Sequence, residues 1–230
     1  MAAAGSRPAL RLVAVAVGLW VASQISTGPG FTLPARRELV SAALLGSLGA
    51  PAVAGAADGN LYATFKVDLR GDGLGKDEVK VRLRPDWAPR GVRRFQELVE
   101  IGEFENAAVF HVNDDAATFG IPAEPTLKPH AIKDDTVRAS NVRGTLTFAA
   151  TGPHTRIHQL FFNRDDNTHL DQHGFAPIGE VIEGDMEVVD KLYGGYKKRP
   201  DTTLIENNGN SYLDSEFPKL SKIQRVVISS

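Results

Sequence analysis

The 230-residue chain has no cysteine, which excludes disulfide frameworks, thiolate metal ligands and thiol nucleophiles together. A strong charge of either sign is also missing, the net charge being -2. That small total hides a split. Arg7, Arg11, Arg36 and Arg37 face only Glu38 in the first 57 residues, a net of +3, so the remainder carries -5. A mildly acidic body has no electrostatic footprint for nucleic acid or an anionic membrane surface. Lys197-Lys198-Arg199 reads as a solvated loop within it. No apolar run reaches the roughly 20 residues of a permanent bilayer span, and no internal repeat is visible. The chain is 42% apolar and 23% charged, the composition of an ordinary globular protein with enough apolar material for a packed core.

The N-terminal 57 residues read as an address rather than as part of the fold. Arg7 and Arg11 precede an apolar run from Leu12 to Ala22, which ends in a small, polar stretch. Basic start, short apolar centre and small polar end describe a secretory signal peptide, assigned to residues 1–29. The pattern then repeats in 30–57. Arg36-Arg37 leads into Leu39 to Leu48 and the small-residue sites Ala52-Val53-Ala54 and Ala54-Gly55-Ala56, which resembles a twin-arginine transfer signal. Phe31, just after the end of the 1–29 signal peptide, resembles the transit-peptide start of algae whose plastids are of secondary origin. The expectation is a plastid protein delivered to the thylakoid lumen, with no membrane span in the mature form. Secretion or export is the alternative.

From Asp58 the texture becomes short alternating strands. Ala63 to Leu69 alternates, and Val79, Val81 and Leu83 share one face of Glu78–Leu83. The Gly71-Asp72-Gly73-Leu74-Gly75 segment between them reads as a hairpin loop. No Gly-Lys-Ser/Thr follows it and a strand pattern comes next, so it is not a nucleotide site. Pro89 opens a helix with Val92, Phe95, Leu98 and Val99 on its apolar face. Strand-like runs follow at 108–112, 145–150, 159–163 and 178–182, then a short helix over 186–193 and a last strand over 223–228. Many strands with two helices predict a mainly β, closed or nearly closed barrel.

At Gly144 the residues become specific. Gly144-Thr145-Leu146-Thr147-Phe148-Ala149-Ala150-Thr151-Gly152-Pro153 precedes Gln159-Leu160-Phe161-Phe162, then Leu170-Asp171, then Gly174 to Gly184. This ordered set resembles the cyclophilin family of peptidyl-prolyl cis-trans isomerases. Trp87-Ala88-Pro89 through Leu98 resembles that family's first helix, and Gly209 to Leu220 a tail found in one of its subgroups. The resemblance covers 58–230. It implies an eight-stranded antiparallel barrel with two capping helices, a substrate groove on the outer surface, no cofactor, and proline-containing segments of client proteins as partners.

Rotation about an X–Pro bond faces a barrier of roughly 20 kcal/mol because amide resonance is lost. No bond is made or broken, so neither metal nor nucleophile is needed. An apolar pocket, a grip on the flanking backbone and a donor aimed at the twisting amide suffice. By the resemblance, His111 stands at the position of the family's catalytic arginine, Ala116 at that of a pocket phenylalanine, Ala117 at an aliphatic pocket position and Phe119 near that of a glutamine. Ala149, Ala150, Gln159, Phe161 and Leu170 match substrate-binding positions. His169 replaces a tryptophan and Phe175 a histidine. Half the site is kept and half replaced, so the same fold acting as a non-catalytic scaffold is the alternative. His154/His158 and His169/His173 are four apart, but on strand and loop this spacing builds no metal site. A histidine titrating near pH 6.5 would gain charge in an acidic lumen, which predicts that His111 partly restores the missing cation as pH falls.

Overall fold

The computed structural model describes residues 60–69, 77–125 and 129–230. The expected presequence, its cleavage sites and the Gly71–Gly75 loop lie outside the described residues.

The alternating runs become strands in the expected places. Strand β1 (Leu61–Asp68) pairs antiparallel with β2 (Glu78–Leu83) in a register that sets Phe65 against Val79 and Ala63 against Val81. Directly opposed residues share a sheet face, and all four of these are buried. The other strands are β3 (Ala107–Ala108), β4 (His111–Val112), β5 (Ala116–Phe119), β6 (Thr145–Phe148), β7 (Leu160–Asn163), β8 (Pro177–Val181) and β9 (Lys222–Ser229). Their order is β3-β9-β1-β2-β8-β6-β7-β5-β4, every neighbouring pair antiparallel. The described strands thus number nine, not eight. The run expected at 108–112 is split: β3 pairs with β9 and β4 with β5. Between them the Val109 N–H donates to Ser221 on one side and the Phe110 N–H to Thr118 on the other. One broken run therefore forms both outer members of the sheet.

Two of the helices were expected. Helix α1 (Pro89–Glu100) buries Val92, Phe95 and Leu98 against the sheet, and α2 (Met186–Asp190) buries Val188 and Val189. Asp135 holds the start of α1, accepting from the Arg90 and Gly91 N–H groups at 3.0 and 2.9 Å. The centre is aromatic. Phe65 lies 5.4–5.9 Å from Phe95, Phe119 and Phe162, mostly edge-on. Burying each such ring is worth ~1.5–3 kcal/mol. The two-helix expectation falls short, because α3 (Thr202–Asn208) and α4 (Asn210–Glu216) lie in the segment before β9. Ile205, Leu213, Phe217 and Leu220 form a second apolar cluster there with Ala108, Phe110 and Ile121.

Candidate functional site

The strand pairing sets one row of side chains across the sheet. Thr147 of β6 opposes Phe161 of β7, Phe161 opposes Thr118 of β5, and Thr118 opposes His111 of β4. Opposed residues share a face, and the core takes the other one, with Leu160, Phe162, Ala117 and Phe119. The row therefore lies on the sheet face away from that core, with Thr147 and Phe161 buried and Thr118 and His111 partly exposed. Strands lie about 4.8 Å apart, so two pairings put the His111 backbone about 10 Å from that of Phe161. Alternation brings Gln159 and Asn163 to the same outer face. Just beyond β6 and β7 the Ala149 N–H donates to the Gln159 carbonyl at 2.9 Å, and both residues, like Ala150, are partly exposed.

The segment after β7 supplies a wall. A 3-10 helix, Thr168–His173, ends at Gly174, whose φ of 83° suits glycine. It carries Leu170, and Phe175 follows, its N–H 3.4 Å from the Leu170 carbonyl. The Phe175 ring meets Phe161 edge-on at 6.2 Å. A buried chain of polar groups fixes this wall. The Asn141 amide donates to Asp171 at 2.7 Å and to the Phe175 carbonyl at 2.8 Å, and its oxygen accepts from the Thr147 hydroxyl at 2.8 Å. Asn163 donates to Thr145 Oγ1 at 2.8 Å, and Asn167 donates to Asn163 Oδ1 and to the Asp115 carbonyl, both at 2.9 Å. Burial alone would raise the Asp171 carboxyl; the hydrogen bonds from Ser140 and Asn141 outweigh it and hold the group below the usual carboxylate range.

His111 faces the loop before α3. Its Nε2 is 2.8 Å from the Pro200 carbonyl, and a carbonyl only accepts, so Nε2 carries the proton. The neutral ring then offers a bare Nδ1 and no second donor. Burial pushes its ionisation below that of an ordinary histidine, and Lys198 pushes the same way; the Pro200 carbonyl and Asp201 oppose them without restoring it. Burial thus works against the expected gain of charge in mild acid, making His111 harder to protonate. Gln159 also leans toward this segment, its amide 3.5 Å from Glu206 of α3.

Phe161, Leu170, Phe175, Gln159, Ala149 and His111 thus fall on one connected surface. His169 is exposed on the 3-10 helix. Ala117 and Phe119 do not belong with the site. Both are fully buried, Phe119 between Phe65, Phe104 and Phe162, because the β5–β7 register turns them inward. Thr118 is the outward residue the sequence reading missed; the apolar-polar alternation of Ala117-Thr118-Phe119 was its signal. His154 and His158 do not converge. His154 is exposed near Asp134, whereas His158 is buried and bonded to buried Glu103 at 2.8 Å. Among the described residues no group of three or more His, Asp or Glu side chains could hold a metal ion.

The arrangement is an apolar patch on the outer face of an antiparallel sheet, flanked by backbone and amide groups, with His111 at its far end. Residues 66–208 match the family model described as cyclophilin type peptidyl-prolyl cis-trans isomerase/CLD. The chain belongs to that family. It is 29% identical over 188 residues to a probable peptidyl-prolyl cis-trans isomerase of Brucella suis biovar 1, covering 70% of this chain and 86% of the relative. The Brucella melitensis biotype 1 protein of the same description matches equally. Among solved structures, a cyclophilin type peptidyl-prolyl cis-trans isomerase of Cryptosporidium parvum superposes with a TM-score of 0.54 at 17% identity, covering 74% of this chain and 98% of that one. A second structure of it, determined in the presence of the dipeptide Ala-Pro, has a TM-score of 0.53 at 17% identity, with 74% and 99% coverage. At that identity the likeness is one of fold.

Proposed function

We propose that this chain binds proline-containing segments of client proteins on the outer sheet face over Phe161, and that it isomerises X–Pro bonds slowly. The observation that carries this reading is the contact of Phe161 with Phe175, in a cross-strand row that ends at a histidine whose proton is spent on Pro200. The aromatic pair receives a proline ring. Ala149, Ala150 and Gln159 offer backbone and amide groups to the flanking peptide. Leu170 completes the apolar side, and His169 stands exposed at its edge. Binding ground state and transition state alike does not speed a reaction. A donor aimed at the twisting amide does, and losing one such donor typically costs 10²- to 10³-fold. The Ala-Pro dipeptide of the Cryptosporidium structure is the kind of ligand this surface would take.

The test is peptide-exchange NMR on the full chain with a short Xaa-Pro peptide at pH 7.5 and 5.5. Binding with a weak exchange enhancement that does not rise at pH 5.5, and that survives His111→Gln, is the expected result. Fast catalysis abolished by His111→Gln would make His111 a working donor and overturn the slow-isomerase reading. Absence of any binding would leave the scaffold alternative.

The site of action we propose is the plastid, in the thylakoid lumen, on the strength of the two basic-then-apolar runs in 1–57. Residues 1–57 fused to a fluorescent protein should enter the plastid of an alga of secondary origin. Release into the medium would instead make this a secreted protein.

A further inference from the structure

Away from the Phe161 face, a shallow cleft of about 470 Å³ runs between α1 and the extended segment around Ile132. Arg90, Arg93, Arg94 and Lys133 line it together with Glu97 and the apolar Ile132. Four cations against one carboxylate is a local reversal of sign in a body whose net charge is -5. We propose that this cleft is a docking site for an acidic segment of a partner polypeptide.

Three observations carry the proposal. First, the cations are not used up inside the fold. Among the described residues neither Arg93 nor Lys133 has a carboxylate within ion-pair distance of its side chain, and both are exposed. Arg94 is largely covered, at 13% side-chain exposure; it meets Glu97 only at 3.4 Å, and its buried Nε has no hydrogen-bond acceptor. Arg90 spends one Nη1 bond on the Asp134 carbonyl, 3.3 Å away, and lies 3.9 Å from the Asp135 carboxylate, with 59% of its side chain exposed. Second, the neighbouring acids are committed chiefly to Arg156. Asp134 bonds Arg156 at 3.0 Å and pairs with His154, and Asp135 bonds the buried Arg156 at 3.1 Å. Third, the start of α1 is closed to an anion. The Arg90 and Gly91 N–H groups donate to Asp135, and the Val92 N–H to Ala88. A ligand must therefore be held by spaced side chains rather than by a cluster of backbone amides.

That distinction selects the ligand. A compact phosphate is best held where several N–H groups converge, and here they are occupied. Arg90, Arg93, Arg94 and Glu97 instead lie along one side of the helix at steps of three and four, beside an extended segment with an apolar residue. Spaced carboxylates on an extended chain match spaced guanidinium groups, each able to take a carboxylate bidentately. A nucleic acid or membrane would need a broad basic field, which the acidic body denies it.

The test uses the full chain and a fluorescein-labelled peptide of alternating Glu and Ala, read by anisotropy at 50 mM salt. Binding should weaken as salt rises, and the exposed pair Arg93→Glu/Lys133→Glu should reduce affinity at least about ten-fold, with circular dichroism unchanged. Arg93→Gln/Lys133→Gln, which introduces no repulsion, should give an intermediate loss. A matched Gln/Ala peptide should not bind, and inorganic phosphate at equal ionic strength should not compete. The proposal is overturned if the wild type does not bind, if both double variants bind as well as the wild type, or if phosphate displaces the peptide stoichiometrically. None of these outcomes touches binding of an Xaa-Pro peptide at Phe161, so the two sites are judged separately.

Discussion

Replacing Asn141 with alanine should unfold the wall of the proposed proline site before it unfolds the sheet. Asn141 is completely buried and its side chain makes four contacts: to Asp171 at 2.7 Å, the Phe175 carbonyl at 2.8 Å, the Thr147 hydroxyl at 2.8 Å and Asn163 at 3.3 Å. Asn163 keeps Thr145, and Asp171 keeps Ser140 and the Asn141 N–H. The Thr147 hydroxyl and the Phe175 carbonyl are left with poor partners or none, at about 1–3 kcal/mol each for a buried polar group. The sum is about 4 kcal/mol, a large share of a typical 5–15 kcal/mol domain stability. With a urea slope of about 2 kcal/mol per M, the midpoint should fall by about 2 M. Adding Thr147→Val removes one orphaned group, so the double variant should lose less than the two single losses combined. A midpoint shift below about 0.5 M, or strict additivity, would refute the network argument.

Two further outcomes follow from buried charge. His111 is less basic in the folded chain than at its ordinary value of 6.5, so the unfolded chain takes up its proton first. Stability should therefore fall as pH drops through about 6.5, and the difference between wild type and His111→Gln, followed by urea titration from pH 7.5 to 5, should isolate that fall. A difference independent of pH, or of opposite slope, contradicts the burial argument. Arg156→Met leaves Asp135, 2% exposed at its side chain, without its close cation and with Arg90 only at 3.9 Å; the expected loss is about 3–5 kcal/mol, read by thermal or urea unfolding, and a loss under about 1 kcal/mol contradicts it.

The strands carried by alternation were legible. Ala63, Phe65, Val79 and Val81 mark one face in the sequence, and the β1–β2 register buries that face. The Pro89 helix was equally plain, since proline at its first position and apolar residues at helical spacing point to the same element. Strand β5 was not, because Ala116 and Ala117 have weak strand preference and follow two aspartates; its pairing with β7 overrides that preference. The α3–α4 pair was hidden by Asn207-Asn208-Gly209-Asn210, poor helix formers. The Asp201 cap, whose side chain accepts from the Leu204 N–H at 3.0 Å, was its one local signal. In the candidate site, the family pattern picked out Phe161, Leu170 and Phe175, which the fold brings together. It could not show that Phe119 turns into the core, that His158 is bonded to a glutamate 55 residues away, or that the Pro200 carbonyl accepts the His111 Nε2–H bond. Those facts depend on register and long-range packing, which no local pattern encodes.

The most direct test of the account is a titration of the isotope-labelled full chain with an Ala-Pro-containing peptide, followed by two-dimensional NMR. Shifts centred on Phe161, Phe175, Leu170, Gln159 and Ala149, weakened at least several-fold by Phe175→Ala, are predicted. Shifts confined to another face, or none at millimolar peptide, would contradict it.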